Sequence, residues 1–132
     1  EVAVLTDQQK AHPIDSLSAC VTLEEVLALK ESVKGVRIGS EIKRYIVDLV
    51  GSTRHAAGVQ LGASPRASLS LMRASQAAAL MDGQGFVSPA HVQEMAVPVV
   101  AHRLMLDPQA KFSGLTGRSV VEASVKSVPV PA

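Results

Sequence analysis

Three arginines, Arg54, Arg66 and Arg73, fall in a stretch from Leu49 to Met81 that contains no aspartate or glutamate, and His55 lies beside the first of them. Cations with no local counter-charge suit an anionic ligand. Arg66 is the most informative of the three, because it follows Ser64 and Pro65 in "GASPRAS" (62–68). A capping serine followed by proline at the first helical position marks a helix start. That places Arg66 just inside the helix, where the macrodipole disfavours a cation by a few tenths of a kcal/mol to about 1 kcal/mol. Two readings follow. In the first, Arg66 simply extends into water. In the second, the free N–H groups of the helix start and the forked guanidinium form a phosphate site, and the ligand's charge outweighs the dipole penalty. Arg73 is seven residues on and on the same face; it either extends that site or serves the structure.

Other chemistries lack their residues. No glycine-rich loop ends in Gly-Lys-Ser/Thr, so no phosphate loop is present. His12, His55, His91 and His102 show no metal-ligand spacing. No pair of carboxylates has a context suited to acid–base work. Cys20 is the only cysteine, which excludes an internal disulfide and a thiolate cluster. It reads as a small buried apolar residue. No catalytic residue and no metal site is therefore expected in the chain alone.

Helices must position the arginines. Residues 1–9 read as the last turns of a helix, and 10–21 as irregular. Thr22 and Glu25 form a capping box for a helix whose apolar side is Leu23, Val26, Leu27 and Val33, with Gly35 as its end. Residues 36–38 are at most briefly extended. From a cap at Ser40, the spacing of Ile42, Tyr45, Ile46, Leu49 and Val50 predicts a buried helical stripe running to about Ala57, with Gly58 as its stop. The helix that starts at Ser64 runs to about Asp82 and is apolar on more than one side, which predicts a central, well-buried element. Ser88-Pro89 starts a further helix, which Pro98 should kink. Residues 105–117 read as a loop, about 118–126 as a terminal helix, and 128–132 as a tail. The fold class is all-α, a small bundle of about five helices over 1–132 with no convincing sheet.

The totals agree with a packed domain. Hydrophobic residues make up 47% of 132 and charged residues 19%, enough to build a core. Aromatics are confined to Tyr45, Phe86 and Phe112, so the core is aliphatic. Thirteen Lys and Arg against twelve Asp and Glu give a net charge of +1, which argues against nucleic acid as a partner. No signal peptide and no membrane-length apolar run is present, so a cytoplasmic location is expected. The first residue is Glu1 and "EVAVL" reads as the middle of an element, so the chain is expected to be the C-terminal piece of something longer.

Five segments, "YIVDLVGSTR" (45–54), "LGASPRAS" (61–68), "ALMDGQGFVSPAHV" (79–92), "HRL" (102–104) and "SVPVP" (127–131), resemble in order and spacing the C-terminal lid of MoxR-type AAA+ ATPases, in the magnesium-chelatase-like branch. The resemblance covers nearly the whole chain. It implies that Arg66 is the sensor 2 residue, which contacts the triphosphate of ATP and reports the γ-phosphate. Ser64 and Pro65 remain, from local chemistry, the cap that positions it. Arg54 and Arg103 lie in family-like segments without a nucleotide role, and packing or inter-domain ion pairs suit them better. The nucleotide-binding core of the family, with its phosphate loop and metal-binding acids, is outside these residues. The resemblance further implies that the intact protein binds ATP and Mg, hydrolyses ATP as a ring, expected to be a hexamer, and acts as a chaperone-like remodeller. The lid would then meet its own AAA+ core, neighbouring subunits and proteins with von Willebrand factor A domains. The alternative is a free-standing helical interaction module without a nucleotide role; a phosphate loop upstream would separate the two.

Overall fold

The computed structural model describes residues 1–9 and 12–131. Among them are seven α-helices: α1 (Val2–Asp7), α2 (Leu23–Gly35), α3 (Ser40–Ser52), α4 (Pro65–Met81), α5 (Pro89–Val100), α6 (Pro108–Phe112) and α7 (Gly117–Ser127). Short 3-10 turns cover Pro13–Ser16 and Ala101–Arg103. Strands β1 (Val59–Leu61) and β2 (Met105–Leu106) pair antiparallel. The all-α expectation holds apart from this small ribbon.

The chain divides into two compact units, Glu1–Lys30 and Glu31–Ala132. The physical reason lies in burial. No described side chain in residues 1–30 is buried. The apolar side expected for α2 is open, with Leu23 at 73%, Val26 at 39% and Leu27 at 50% of full exposure. Cys20, expected inside, is exposed for the same reason. Local chemistry shapes its second helix start. The Thr22 N–H and hydroxyl both donate to Glu25 Oε2, at 2.6 and 2.9 Å, and the Glu25 N–H returns to Thr22 Oγ1 at 3.2 Å. That is the capping box the sequence predicts.

In the second unit α4 packs on α3 and α5, and α5 also meets α3 and α7. The α3 stripe is as expected: Ile42, Tyr45, Ile46, Leu49 and Val50 are all buried. Helix α3 stops at Ser52 rather than near Ala57, and Gly58 bends the following turn at φ +74°. Its N-cap is Gly39, and Ser40 is its first residue. Helix α4 differs from expectation. It buries a single ridge, Ala67, Leu71, Ser75, Gln76 and Ala79, while Leu69 and Met81 are 61% and 87% exposed. Along the i±4 ridge Ala67, Ser75 and Ala79 are small and let neighbouring helices approach closely, while Leu71 fills the core between them. The helix closes at Gly83, φ +69°, where the Gly83 N–H donates to Leu80 C=O and the Gln84 N–H to Ala79 C=O, both orphan carbonyls satisfied by a left-handed glycine. Helix α5 runs continuously through Pro98.

Residues 105–117, expected as a loop, contain β2 and α6. Both are too short to leave a periodic signal, and they are fixed by distant contacts. The Asp107 N–H donates to Gly58 C=O at 2.9 Å. A Cβ on Gly58 would lie 2.7 Å from the Leu115 side chain and 2.8 Å from that of Ala110.

Candidate functional site

The site is built at the start of α4, and its foundation is the end of α3. Thr53 caps α3 and is fully buried. Its hydroxyl donates to Val50 C=O at 2.7 Å and accepts the Ala63 N–H at 3.0 Å. Arg54 Nε donates to Ala63 C=O at 3.0 Å. Both main-chain polar groups of Ala63, itself wholly buried, are thus held by two consecutive residues of the preceding helix end. Gly62 makes the approach possible, because a Cβ there would come within 2.5 Å of Arg54 Cα.

From this anchor the chain enters α4. Ser64 is the N-cap residue with extended backbone, φ −79° and ψ 165°, and Pro65 opens the helix. The sequence expectation is corrected in one respect: the Ser64 side chain makes no capping hydrogen bond. The Ala67 N–H instead donates to the Ser64 carbonyl at 2.8 Å, a tight first turn that leaves the serine hydroxyl unused for capping. First-turn N–H groups have no partner within a helix. Pro65 has no N–H and that of Ala67 is taken, which leaves the Arg66 N–H without a main-chain partner in the first turn.

The Arg66 side chain is exposed and takes part in neither of the Lys or Arg ion pairs among the described residues, Lys34–Glu31 and Arg118–Glu122. Its carbonyl accepts the Ser70 hydroxyl at 3.1 Å. An open groove of about 520 Å³ between α3 and α4 reaches Pro65, the residue before Arg66; Ile46, Val47, Pro65, Leu69 and Met72 are its apolar walls and Lys43, Arg54 and Ser68 its polar ones. A helix start with an exposed guanidinium, next to a groove with apolar walls, can take an anion joined to an apolar body.

The remaining sequence candidates are elsewhere. Arg73 Nη1 donates to Gln76 Oε1 at 3.0 Å, and Gln76 Nε2, almost wholly buried, donates to Val36 C=O at 2.7 Å. Arg73 therefore steadies an internal amide. Arg103 ends the 3-10 turn and is exposed. His91 Nδ1 accepts the Ser88 N–H at 3.0 Å, which leaves Nε2 as the protonated nitrogen facing Asp82 Oδ2 at 3.2 Å; it is a capping residue of α5. His12 and His102 make local bonds to Ile14 N–H and Pro98 C=O, and His55 is exposed. Among the described residues no group of three or more His, Cys, Asp or Glu could hold a metal ion. The roles of Thr53 and Gly62 escape sequence reasoning, because their partners, Ala63 and Arg54, lie ten and eight residues away across an irregular turn.

Comparison with known proteins locates the chain. The family model of the AAA lid domain matches residues 51–124, which contain Arg54, Ser64 and Arg66. The chain is 41% identical over 131 residues to the protein YeaC of Bacillus subtilis, covering 99% of this chain and 41% of that one. It is 30% identical to protein MoxR of Paracoccus denitrificans, over 74% of this chain and 33% of MoxR. It is 29% identical to the chaperone MoxR1 of Mycobacterium tuberculosis, over 81% of this chain and 31% of MoxR1. The crystal structure of a proposed ATPase from Cytophaga hutchinsonii superposes with a TM-score of 0.86 over 99% of this chain and 42% of that one, at 24% identity, which establishes the likeness of fold. The chain thus spans less than half the length of each relative it matches.

Proposed function

The chain belongs to the AAA lid domain family, as the lid of a MoxR-type AAA+ ATPase, and from that premise we propose that it binds and senses the triphosphate of ATP on behalf of a longer ATPase. The observation that carries the reading is Arg66: an exposed guanidinium without an ion-pair partner among the described residues, at the second position of a helix whose entry is fixed on both sides of Ala63. At about 4 Å and an effective dielectric near 20, one phosphate charge attracts this arginine by about 4 kcal/mol before solvation losses. That exceeds the dipole penalty of about 1 kcal/mol or less. Ser64 and Pro65 shape the entry, and the groove beside Pro65 has the polarity to accept the uncharged part of a nucleotide.

The stretch from Leu49 to Met81 has no carboxylate, and Mg²⁺ requires hard oxygen ligands. The part of this chain is phosphate contact, and the metal and the phosphate loop would come from the ATPase core. The open apolar side chains of α2 suit cover by such a core. Ring assembly, chaperone-like remodelling and partners with von Willebrand factor A domains follow as part of the same proposal, as does action in the cytoplasm. No helix among the described residues is long and apolar enough to cross a membrane.

Titration calorimetry and an ATPase assay on this chain test the division of labour. The chain alone should not turn over ATP and should bind it only weakly. Sub-micromolar affinity would show a self-sufficient nucleotide site and contradict the lid reading.

A further inference from the structure

The end of α3 does more than pack. We infer that Arg54 is a positioning residue for Arg66, and that Thr53, Arg54 and Gly62 form a latch that sets where the start of α4 presents its arginine. This inference rests on the proposed phosphate-sensing role of Arg66.

The argument is one of degrees of freedom. Only Ser64 and Pro65 separate Ala63 from Arg66. Proline fixes its own φ and confines the preceding residue to extended backbone, where Ser64 lies at φ −79° and ψ 165°. Once Ala63 is held, little rotation remains before Arg66. Ala63 is held at both ends, by the Thr53 hydroxyl on its N–H and by Arg54 Nε on its carbonyl, each at 3.0 Å. The Thr53 hydroxyl is itself oriented by Val50 C=O at 2.7 Å. Gly62 brings this loop against the Arg54 main chain, and the atoms that a Cβ would strike, Arg54 Cα at 2.5 Å and N at 2.7 Å, are backbone that cannot swing aside.

Arg54 has no carboxylate within ion-pair distance among the described residues. Its ordered contact is the bond from Nε to Ala63. A lysine carries donors only at its tip and has no equivalent of Nε, so charge alone should not replace it.

A double-mutant cycle in the intact ATPase tests the inference. Arg54→Ala, Arg54→Lys and Gly62→Ala are each made alone and on an Arg66→Ala background. Arg54→Ala and Gly62→Ala should each lower kcat for ATP about tenfold or more, since misplacement of about 1 Å can cost up to about a hundredfold. KM should stay within about threefold. Arg54→Lys should recover only a minor part of the loss. On the Arg66→Ala background the same changes should cost less than about twofold, because their effect passes through Arg66. Equal losses on both backgrounds would overturn the inference while leaving the phosphate-sensing role intact. Normal turnover of Arg66→Ala alone would instead remove that role, and the positioning of Arg66 with it. Should Gly62→Ala fail to fold by circular dichroism, Arg54→Ala decides; unfolding of Arg54→Ala as well would make the latch a requirement of the fold and overturn its positioning role.

Discussion

Thr53 has no exposed surface, and its one hydroxyl serves two main-chain partners, Val50 C=O and Ala63 N–H. Thr53→Val keeps the shape but leaves the Ala63 N–H without an acceptor in a dry place. The expected cost is about 1–3 kcal/mol, the penalty for an unsatisfied buried donor, measured by urea unfolding. A change under about 0.3 kcal/mol would mean that water or another acceptor reaches Ala63. At this scale the sequence is legible where the chemistry is local. Ser64, Pro65 and Arg66 announce a helix start because cap, proline and first turn are contiguous. The unused Ser64 hydroxyl is not announced, since a backbone carbonyl can close the same turn. The shared partner of Arg54 and Thr53, Ala63, is not announced, because it is brought to them only by the turn at Gly58 and the strand after it.

At the scale of elements, α4 is fixed by a narrow ridge rather than by apolar surface on all sides. Leu71 has no exposed surface and Leu69 is 61% exposed. Leu71→Ala should therefore cost about 2–5 kcal/mol, the range for core truncations, while Leu69→Ala should stay within about 0.5 kcal/mol, as surface changes do. Equal losses by chemical denaturation would contradict the assignment of faces. Helix α2 makes a different prediction, in pH. The Thr22 N–H, and after it the Thr22 hydroxyl, hold the Glu25 carboxyl below the usual carboxylate range. A lowered native pKa means that the capping contribution is present above the unfolded value and is lost as pH falls through the native one. NMR titration should place the Glu25 midpoint below the usual range, and Thr22→Ala should raise it; an unchanged midpoint in that variant would sink the capping box. Elements with a capping box or a full buried period, α2 by its box, α3 by its stripe and α5 and α7 by both, are readable from sequence because those contacts lie within three or four residues of one another. Helix α6 and the β1–β2 ribbon are not, because five, three and two residues carry no period and owe their form to Gly58, Leu115 and Asp107.

For the whole molecule, the uneven distribution of burial matters most. Residues 1–30 contain no described buried side chain, and the core lies in residues 31–132. Limited proteolysis of this chain should cut within residues 1–22 well before it cuts α3, α4 or α5, because cleavage follows local opening. First cuts inside α4 would contradict this. The sequence's apolar content could not reveal the division, since composition counts Leu23 and Val26 as core whether or not anything covers them. The central claim, that Arg66 serves a phosphate and not the fold, is tested most directly by one substitution measured twice. Arg66→Ala in the intact ATPase should lower ATP turnover by about ten- to a thousandfold, the range for loss of one charge-stabilising donor. In this chain alone the same change should leave thermal stability unchanged or slightly raised, since the unfavourable charge at the helix start goes with it. Normal turnover in the intact enzyme, or an unfolded chain on its own, would return Arg66 to a structural role.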